Sequence, residues 1–256
     1  MLQDMKRRML LHYLLHERGS SYPVPEDEEA QKYLLRGLMN IREPGPIDAK
    51  ILAVQDACLQ EELLRRTVTD AARLPEMQPG ISVWKGDITT LKCDAIVNAA
   101  NSGLTGCYIP NHNCIDNCIH TYAGMQLRQE CAEIVRKQGH PEPIGLAKIT
   151  GGYNLPARHV LHTVGPAVSG RLTLDDCGKL QSCYQSCLAL AAENNLKSLA
   201  FCCISTGVFR FPVEPASQIA VVTVKKFLKK EQSSLEQVIF TVFSEKNRIL
   251  YEGLLA

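Results

Sequence analysis

No stretch of this 256-residue chain approaches the roughly 18 consecutive apolar residues that a membrane span needs. Charge of one sign is equally scarce: 28 lysines and arginines against 27 aspartates and glutamates leave a formal net charge of +1. A surface so balanced carries no broad electrostatic footprint for duplex nucleic acid or an anionic membrane. Nor do basic and aromatic residues interleave as they do in a single-strand RNA groove. Eleven cysteines, an odd number, are too few for a disulfide scaffold in a chain long enough to fold without staples. The opening MLQDMKRRMLLHYLLHERGSS follows a basic patch with apolar residues, as a secretory signal does. His12 interrupts that stretch, however; His16, Glu17 and Arg18 end it, and no small-residue cleavage site follows. The expectation is a cytoplasmic protein with free thiols and no nucleic-acid or membrane partner.

Hydrophobic residues make up 45% of the chain, enough for one large domain with an appendage. Residues 1–78 read as a helical extension. Segments 31–40 and 47–66 are rich in Leu, Ala, Glu and Arg, and Ile47, Ile51, Val54 and Cys58 recur at helical spacing. SSYPVPED and REPGP break the helices, and LPEMQPG closes the appendage. Its role reads as packing against the next domain or shaping a partner surface.

Residues 79–256 alternate strands with helices. ISVWKGDI, CDAIVNAAN, GLAKIT, RHVLHTVG, KSLAFCCIS and QVIFTVF read as strands; 115–138, 180–195, 215–228 and NRILYEGLL read as helices. Such alternation predicts an α/β domain with a largely parallel sheet covered on both faces, and ligands then bind beyond the carboxyl ends of the strands. Cys58, Cys131, Cys183, Cys187, Cys202 and Cys203 fit as small core hydrophobes.

Two strands end in polar loops, NAANSGLTG and CCISTGVFRFP. Backbone N–H groups of Ser205, Thr206, Gly207, Val208 and Phe209 can line an anion pocket, with Gly207 permitting close approach. A strand-to-helix turn with one glycine is common, so this loop alone decides nothing. Asp87 in GDIT is either a turn residue or an acceptor for an amine. Phe243 either stacks on a ring or belongs to the core.

GDIT, DAIVNAANSGL and ISTGVFRFP together, in that order, resemble the macrodomain family, which binds ADP-ribose. The resemblance implies a three-layer α/β/α fold with a mixed sheet. It implies that Asp87 accepts from the adenine amine with Ile88 beside the ring, that 205–209 wrap the pyrophosphate, and that Asn101 contacts the distal ribose. Asp116 matches an acidic residue that hydrolytic macrodomains hold near that sugar.

Between the asparagine loop and the next helix, where hydrolytic relatives run glycine-rich, this chain has GCYIPNHNCIDN. Cys107, His112 and Cys114 offer two thiolates and an imidazole on one loop, a set that suits zinc with a fourth position open. The spacing lacks the paired CxxC of structural fingers, so by itself it leaves metal binding, an apo loop and a redox pair all open. The sequence is similar to the zinc-dependent, sirtuin-linked branch of macrodomains, whose loop carries this arrangement before CIDN, and that likeness implies Zn2+. Cys118 either closes the site as a fourth ligand or sits on the helix flank, the latter being expected. His120 is expected to pack near the pocket, His159 and His162 to be core or edge residues, Asn98 to brace the loop, and Arg210 to add charge at the phosphates or meet a partner.

The resemblance implies a hydrolase that removes mono-ADP-ribose from a carboxylate side chain, with Asn101 and Asp116 in the catalytic centre and zinc either activating water or holding the ribose. A lipoyl-carrier protein is the implied target, and a monomer is expected. The same pocket would also suit a non-catalytic ADP-ribose reader with structural zinc, or an O-acetyl-ADP-ribose deacetylase.

Overall fold

The computed structural model describes residues 2–230 and 233–256. Three helices open the chain: α1 (Gln3–Glu17), α2 (Glu28–Ile41) and α3 (Ala49–Leu64). Asp27 and Asp48 start the second and third by accepting hydrogen bonds from the Ala30 and Lys50 N–H groups at 2.8 and 2.7 Å. Leu10, Leu11 and Leu14, the apolar residues that gave the first segment its signal-like look, are buried against Leu35, Leu38, Ile51 and Val54. Cys58 and Met125 complete this small core and join it to the rest of the molecule.

The remaining elements follow as β1 (Thr69–Asp70), β2 (Glu76–Gln78), β3 (Ile81–Lys85), β4 (Leu91–Lys92), β5 (Ala95–Ala100), α4 (Ile115–Ala123), α5 (Met125–Gln138), β6 (Ala147–Gly151), β7 (His159–Val164), α6 (Leu174–Glu193), β8 (Ser198–Phe201), α7 (Val213–Lys230), β9 (Gln237–Val242) and α8 (Glu245–Leu255). Seven strands form one sheet in the order β2-β3-β9-β8-β5-β7-β6. Its five central strands are mutually parallel, and the edge strands β2 and β6 run antiparallel to their neighbours. β1 pairs with β4 in a separate short ladder. The β1 and β2 strands thus lie inside the stretch that reads as helical extension, and β2 extends the main sheet.

Period-two alternation sends each central strand's residues to both faces. On β5, Ala95 and Val97 join the core under α6, α7 and α8, whereas Ile96 and Ala100 join the core under α4 and α5. β9 divides the same way, with Val238, Phe240 and Val242 opposite Ile239. Both faces are covered, giving a three-layer α/β/α arrangement with a mixed sheet and with α1–α3 added outside α4 and α5. Each large aliphatic side chain so buried contributes on the order of 1.5–3 kcal/mol. Among the described residues no helix is long and apolar enough to cross a membrane.

Three local readings are corrected. The segment 115–138 is two helices, broken at Gly124, whose φ of 102° is open to glycine and where an added Cβ would lie 2.6 Å from Gln55 Nε2. Helix α6 begins at Leu174 rather than 180 because Thr173 and Asp176 form a reciprocal capping box. The strand read through Ser205 ends at Phe201, since Cys202 onward turns into a loop. Replacing Gly124 by Ala should destabilise the protein by about 2 kcal/mol through strain at positive φ plus the clash with Gln55. Urea unfolding would measure the shift, and an unchanged midpoint would show that the helix break tolerates a side chain.

Candidate functional site

Strand order reverses around β5, whose neighbours are β8 on one side and β7 on the other. A crevice opens at such a point beyond the carboxyl ends of the strands. The loops after β3, β5, β8 and β9 all leave from that edge.

The loop after β8 is tied down without using its central donors. Thr206 N–H donates to the Cys203 carbonyl, Arg210 N–H to Gly207, and Phe211 N–H to Ser205, at 3.3, 3.0 and 3.0 Å. The N–H groups of Ser205, Gly207, Val208 and Phe209 make no hydrogen bond to other described residues. A cluster of free amides on one turn cradles anions. A Cβ on Gly207 would meet no protein atom within 4 Å, so the chain's own packing does not require glycine there. Ser205 adopts a φ of 63°, and its buried hydroxyl has no partner among the described residues. Gly165, at the end of β7, makes room for that hydroxyl: a Cβ there would sit 2.0 Å from Ser205 Oγ. Val208 and Arg210 are exposed, and Phe243 after β9 is 85% exposed, which removes it from the core.

Asp87 caps a short 3-10 turn, accepting from the Thr89 N–H at 2.9 Å and the Thr89 hydroxyl at 2.7 Å. Its second oxygen accepts from Arg66 Nη2 at 2.6 Å. The Arg66 guanidinium also lies 4.1 Å over the Tyr122 ring. Ile88 beside Asp87 is buried. Arg66 and Tyr122 come from the bend just after α3 and from α4, and no motif marked either of them in the sequence.

Asn98 shares a face of β5 with Ile96 and Ala100, so it points at α4. Its amide donates to Asp116 Oδ1 at 2.8 Å. Asn101 Nδ2 lies 2.9 Å from the Gly106 carbonyl and 3.3 Å from Asp116 Oδ2, while its Oδ1 accepts from the Gly103 N–H at 2.9 Å. Asn101 therefore shapes its own loop as well as meeting Asp116. Burial pushes the Asp116 carboxyl up to about 6, against the pull of Asn98, Arg128 and Asn101. His120, one turn along α4, is buried with neither ring nitrogen hydrogen-bonded among the described residues, and burial beside His162 and Arg128 drives its pKa well down. His162 stands beside Asn98 in register on β7, with 3.1 Å between Nδ1 and the Asn98 amide, and burial drops its pKa to about 3.

Cys107, His112 and Cys114 come together, their Sγ, ring-nitrogen and Sγ atoms lying within 4.8 Å of one another. Cys107 Sγ stands 3.6 Å from His112 Nδ1. Cys114 is the N-cap of α4, its sulfur 3.5 Å from the Asn117 N–H, and burial, with Cys107 adding to it, pushes the thiol up to about 12. Two soft sulfurs and one imidazole, converging from a loop rather than strung along a helix, form a donor set that fits zinc. Cys118 is not part of that set; its sulfur lies 3.7 Å from Arg36 Nη2 on the helix flank. A second, wholly buried set of His120, Cys131 and His162 lies deeper, with His162 Nε2 2.9 Å from the Thr150 hydroxyl.

Fold and cleft thus define a three-layer α/β/α protein with a loop of unpaired backbone amides at its switch point and a cysteine-histidine loop beside it. The profile of the Macro domain family matches residues 97–220. The chain belongs to that family: it is 54% identical to a protein-ADP-ribose hydrolase of Treponema medium, with 100% of both chains covered. It is 52% identical to a protein-ADP-ribose hydrolase of Staphylococcus aureus strain MRSA252, over 98% of this chain and 96% of that one. Among solved structures it is similar to a Trypanosoma brucei macrodomain in complex with ADP-ribose, with a TM-score of 0.68, 31% identity, and 86% and 95% of the two chains covered.

Proposed function

We propose that this protein is a hydrolase that releases ADP-ribose from mono-ADP-ribosylated proteins, using a zinc ion held by Cys107, His112 and Cys114. The relatives named protein-ADP-ribose hydrolase, matched end to end, support the reaction class. The observation that carries the metal-dependent form is the convergence of three donors on the loop between Asn101 and Asp116.

The free amides of Ser205, Gly207, Val208 and Phe209 would bind the diphosphate, each N–H meeting an anionic oxygen without first losing a protein partner; the Thr206 N–H, held by the Cys203 carbonyl, is not among them. Asp87 keeps acceptor capacity beyond Thr89 and Arg66, enough for the exocyclic amine of adenine, and would reject a keto group there. Exposed Phe243 is available to stack on the base. With the diphosphate so placed, the distal ribose reaches the loop after β5. Asp116, fixed by Asn98 and Asn101, is the carboxylate that orients water or the sugar there. Cys107, His112 and Cys114 would hold the zinc, which would supply Lewis acidity toward the substrate. Cys118 standing apart favours an open catalytic site over a closed structural one.

The substrate proposed in detail is a carboxylate-linked modification on a lipoyl-carrier protein, placed there by a sirtuin-type transferase, with the enzyme acting in the cytoplasm as a monomer. The test offers the purified protein both a mono-ADP-ribosylated protein and O-acetyl-ADP-ribose. Release of free ADP-ribose from the protein is expected. Tight binding of ADP-ribose without release from either substrate would identify a reader module, and turnover of the acetyl ester alone would identify a deacetylase.

A further inference from the structure

Residues 102–114 hold the three metal-ligand candidates without any regular helix or strand of their own. Loops of that kind keep a chemical geometry only when something else fixes their backbone. Part of the support is internal: the Asn117 amide, fully buried on α4, donates to the Cys107 and Ile109 carbonyls at 3.2 and 3.0 Å. The rest arrives from α2, which belongs to the N-terminal extension. Arg36 Nη2 donates to the His112 carbonyl at 2.8 Å and to Asn117 Oδ1 at 3.2 Å. Four residues later on the same helix face, Asn40 Oδ1 accepts from the Asn111 N–H at 2.9 Å, and Asn40 Nδ2 donates to the Thr121 hydroxyl at 2.9 Å. Asn111 adopts a φ of 56°, a left-handed turn immediately before the histidine. Gly37, between the two, would carry a Cβ only 3.1 Å from Asn111 Nδ2, so the Asn111 side chain packs closely against the bare glycine face of the helix.

The far end of α2 is itself locked. Buried Arg128 of α5 donates to the Met39, Asn40 and Arg42 carbonyls at 3.3, 2.6 and 2.6 Å, satisfying two acceptors of the last turn and that of the C-cap residue. Its guanidinium also lies 4.3 Å over the ring of Tyr108, the residue after Cys107.

We infer that Arg36 and Asn40 are positioning residues for the metal loop: the extension fixes the backbone of Asn111 and His112 so that the imidazole meets the two thiolates. This inference rests on the zinc reading proposed above. It assigns the N-terminal helices a part in the site rather than packing alone. Neither side chain touches substrate, and both act through His112.

The test is Zn2+ affinity, measured on metal-free protein by competition with a chromophoric chelator. Asn40→Ala and Arg36→Met should each weaken Zn2+ binding about 10- to 100-fold, the range seen when partners of metal ligands are removed. ADP-ribose affinity should stay within about threefold, since the adenine and diphosphate contacts lie elsewhere. Arg36→Lys, which keeps the charge and a donor, should recover part of the affinity. Tyr33→Ala, an exposed change on the same helix, should leave it unaltered. Thermal unfolding of the metal-free variants separates loop positioning from damage to the fold: the inference requires Zn2+ affinity to drop in variants that melt with the wild type. Wild-type Zn2+ affinity in both Asn40→Ala and Arg36→Met overturns the brace while leaving the metal site standing. A wild-type protein that binds no Zn2+ overturns both.

Discussion

Replacing Cys107, His112 or Cys114 by Ala should abolish release of ADP-ribose from a modified protein while leaving the nucleotide cleft able to bind. Each change removes one of three donors from a set that has no fourth within 4.8 Å among the described residues, so no neighbour can substitute. Loss of a thousandfold or more corresponds to at least about 4 kcal/mol of transition-state stabilisation, more than any single surface contact supplies. Zinc content should fall in parallel. ADP-ribose affinity should change only several-fold, because Asp87 and the amides of 205–209 lie on other loops. Calorimetric titration with ADP-ribose, paired with label release, separates the two effects. A Cys114→Ala protein that turns over at the wild-type rate would remove the metal from the mechanism.

Asp116→Ala should give the complementary pattern, with zinc retained and rate lost. The carboxylate sits two residues past Cys114 yet turns the other way, into Asn98 and Asn101. Removing it takes one acceptor from each of two amide groups, that of Asn98 fully buried, at a cost of about 1–3 kcal/mol in stability. The catalytic loss expected is about 10²- to 10⁴-fold in kcat, as for a group that orients or accepts a proton from the attacking water. Asp116→Asn keeps the shape and separates the two costs: stability should largely return while the rate stays low. A normal rate in either variant would exclude Asp116 from the chemistry and leave it as a strut beneath Asn101.

How far the residues alone led depends on whether the deciding contact is local. DAIVNAAN carries its strand pattern in six consecutive positions, and its alternation already sets Asn98 on the face that meets α4. The STGVF turn is legible for the same reason, although the strand before it ends at Phe201 rather than Ser205; the Cys-His-Cys spacing let eight residues of loop close on a point but left open what they would hold. The break at Gly124 was not legible, because its partner Gln55 is far away in the chain and belongs to α3. Arg66 at Asp87, and Arg36 and Asn40 at the metal loop, escaped for that same reason: each comes from the extension, whose sequence reads only as helical until it is packed. Phe243 is a further instance, since only the end of β9 in space shows that it faces solvent at the cleft edge.

In the proposed function, the three-donor loop makes this macrodomain a metal-dependent hydrolase. Metal analysis of the purified protein, coupled to a release assay before chelation, after chelation and after adding Zn2+ back, tests it most directly. About one zinc per chain is expected, with turnover lost on chelation while ADP-ribose binding is preserved, and recovered on adding Zn2+. Full turnover by a protein shown to contain no metal would contradict it.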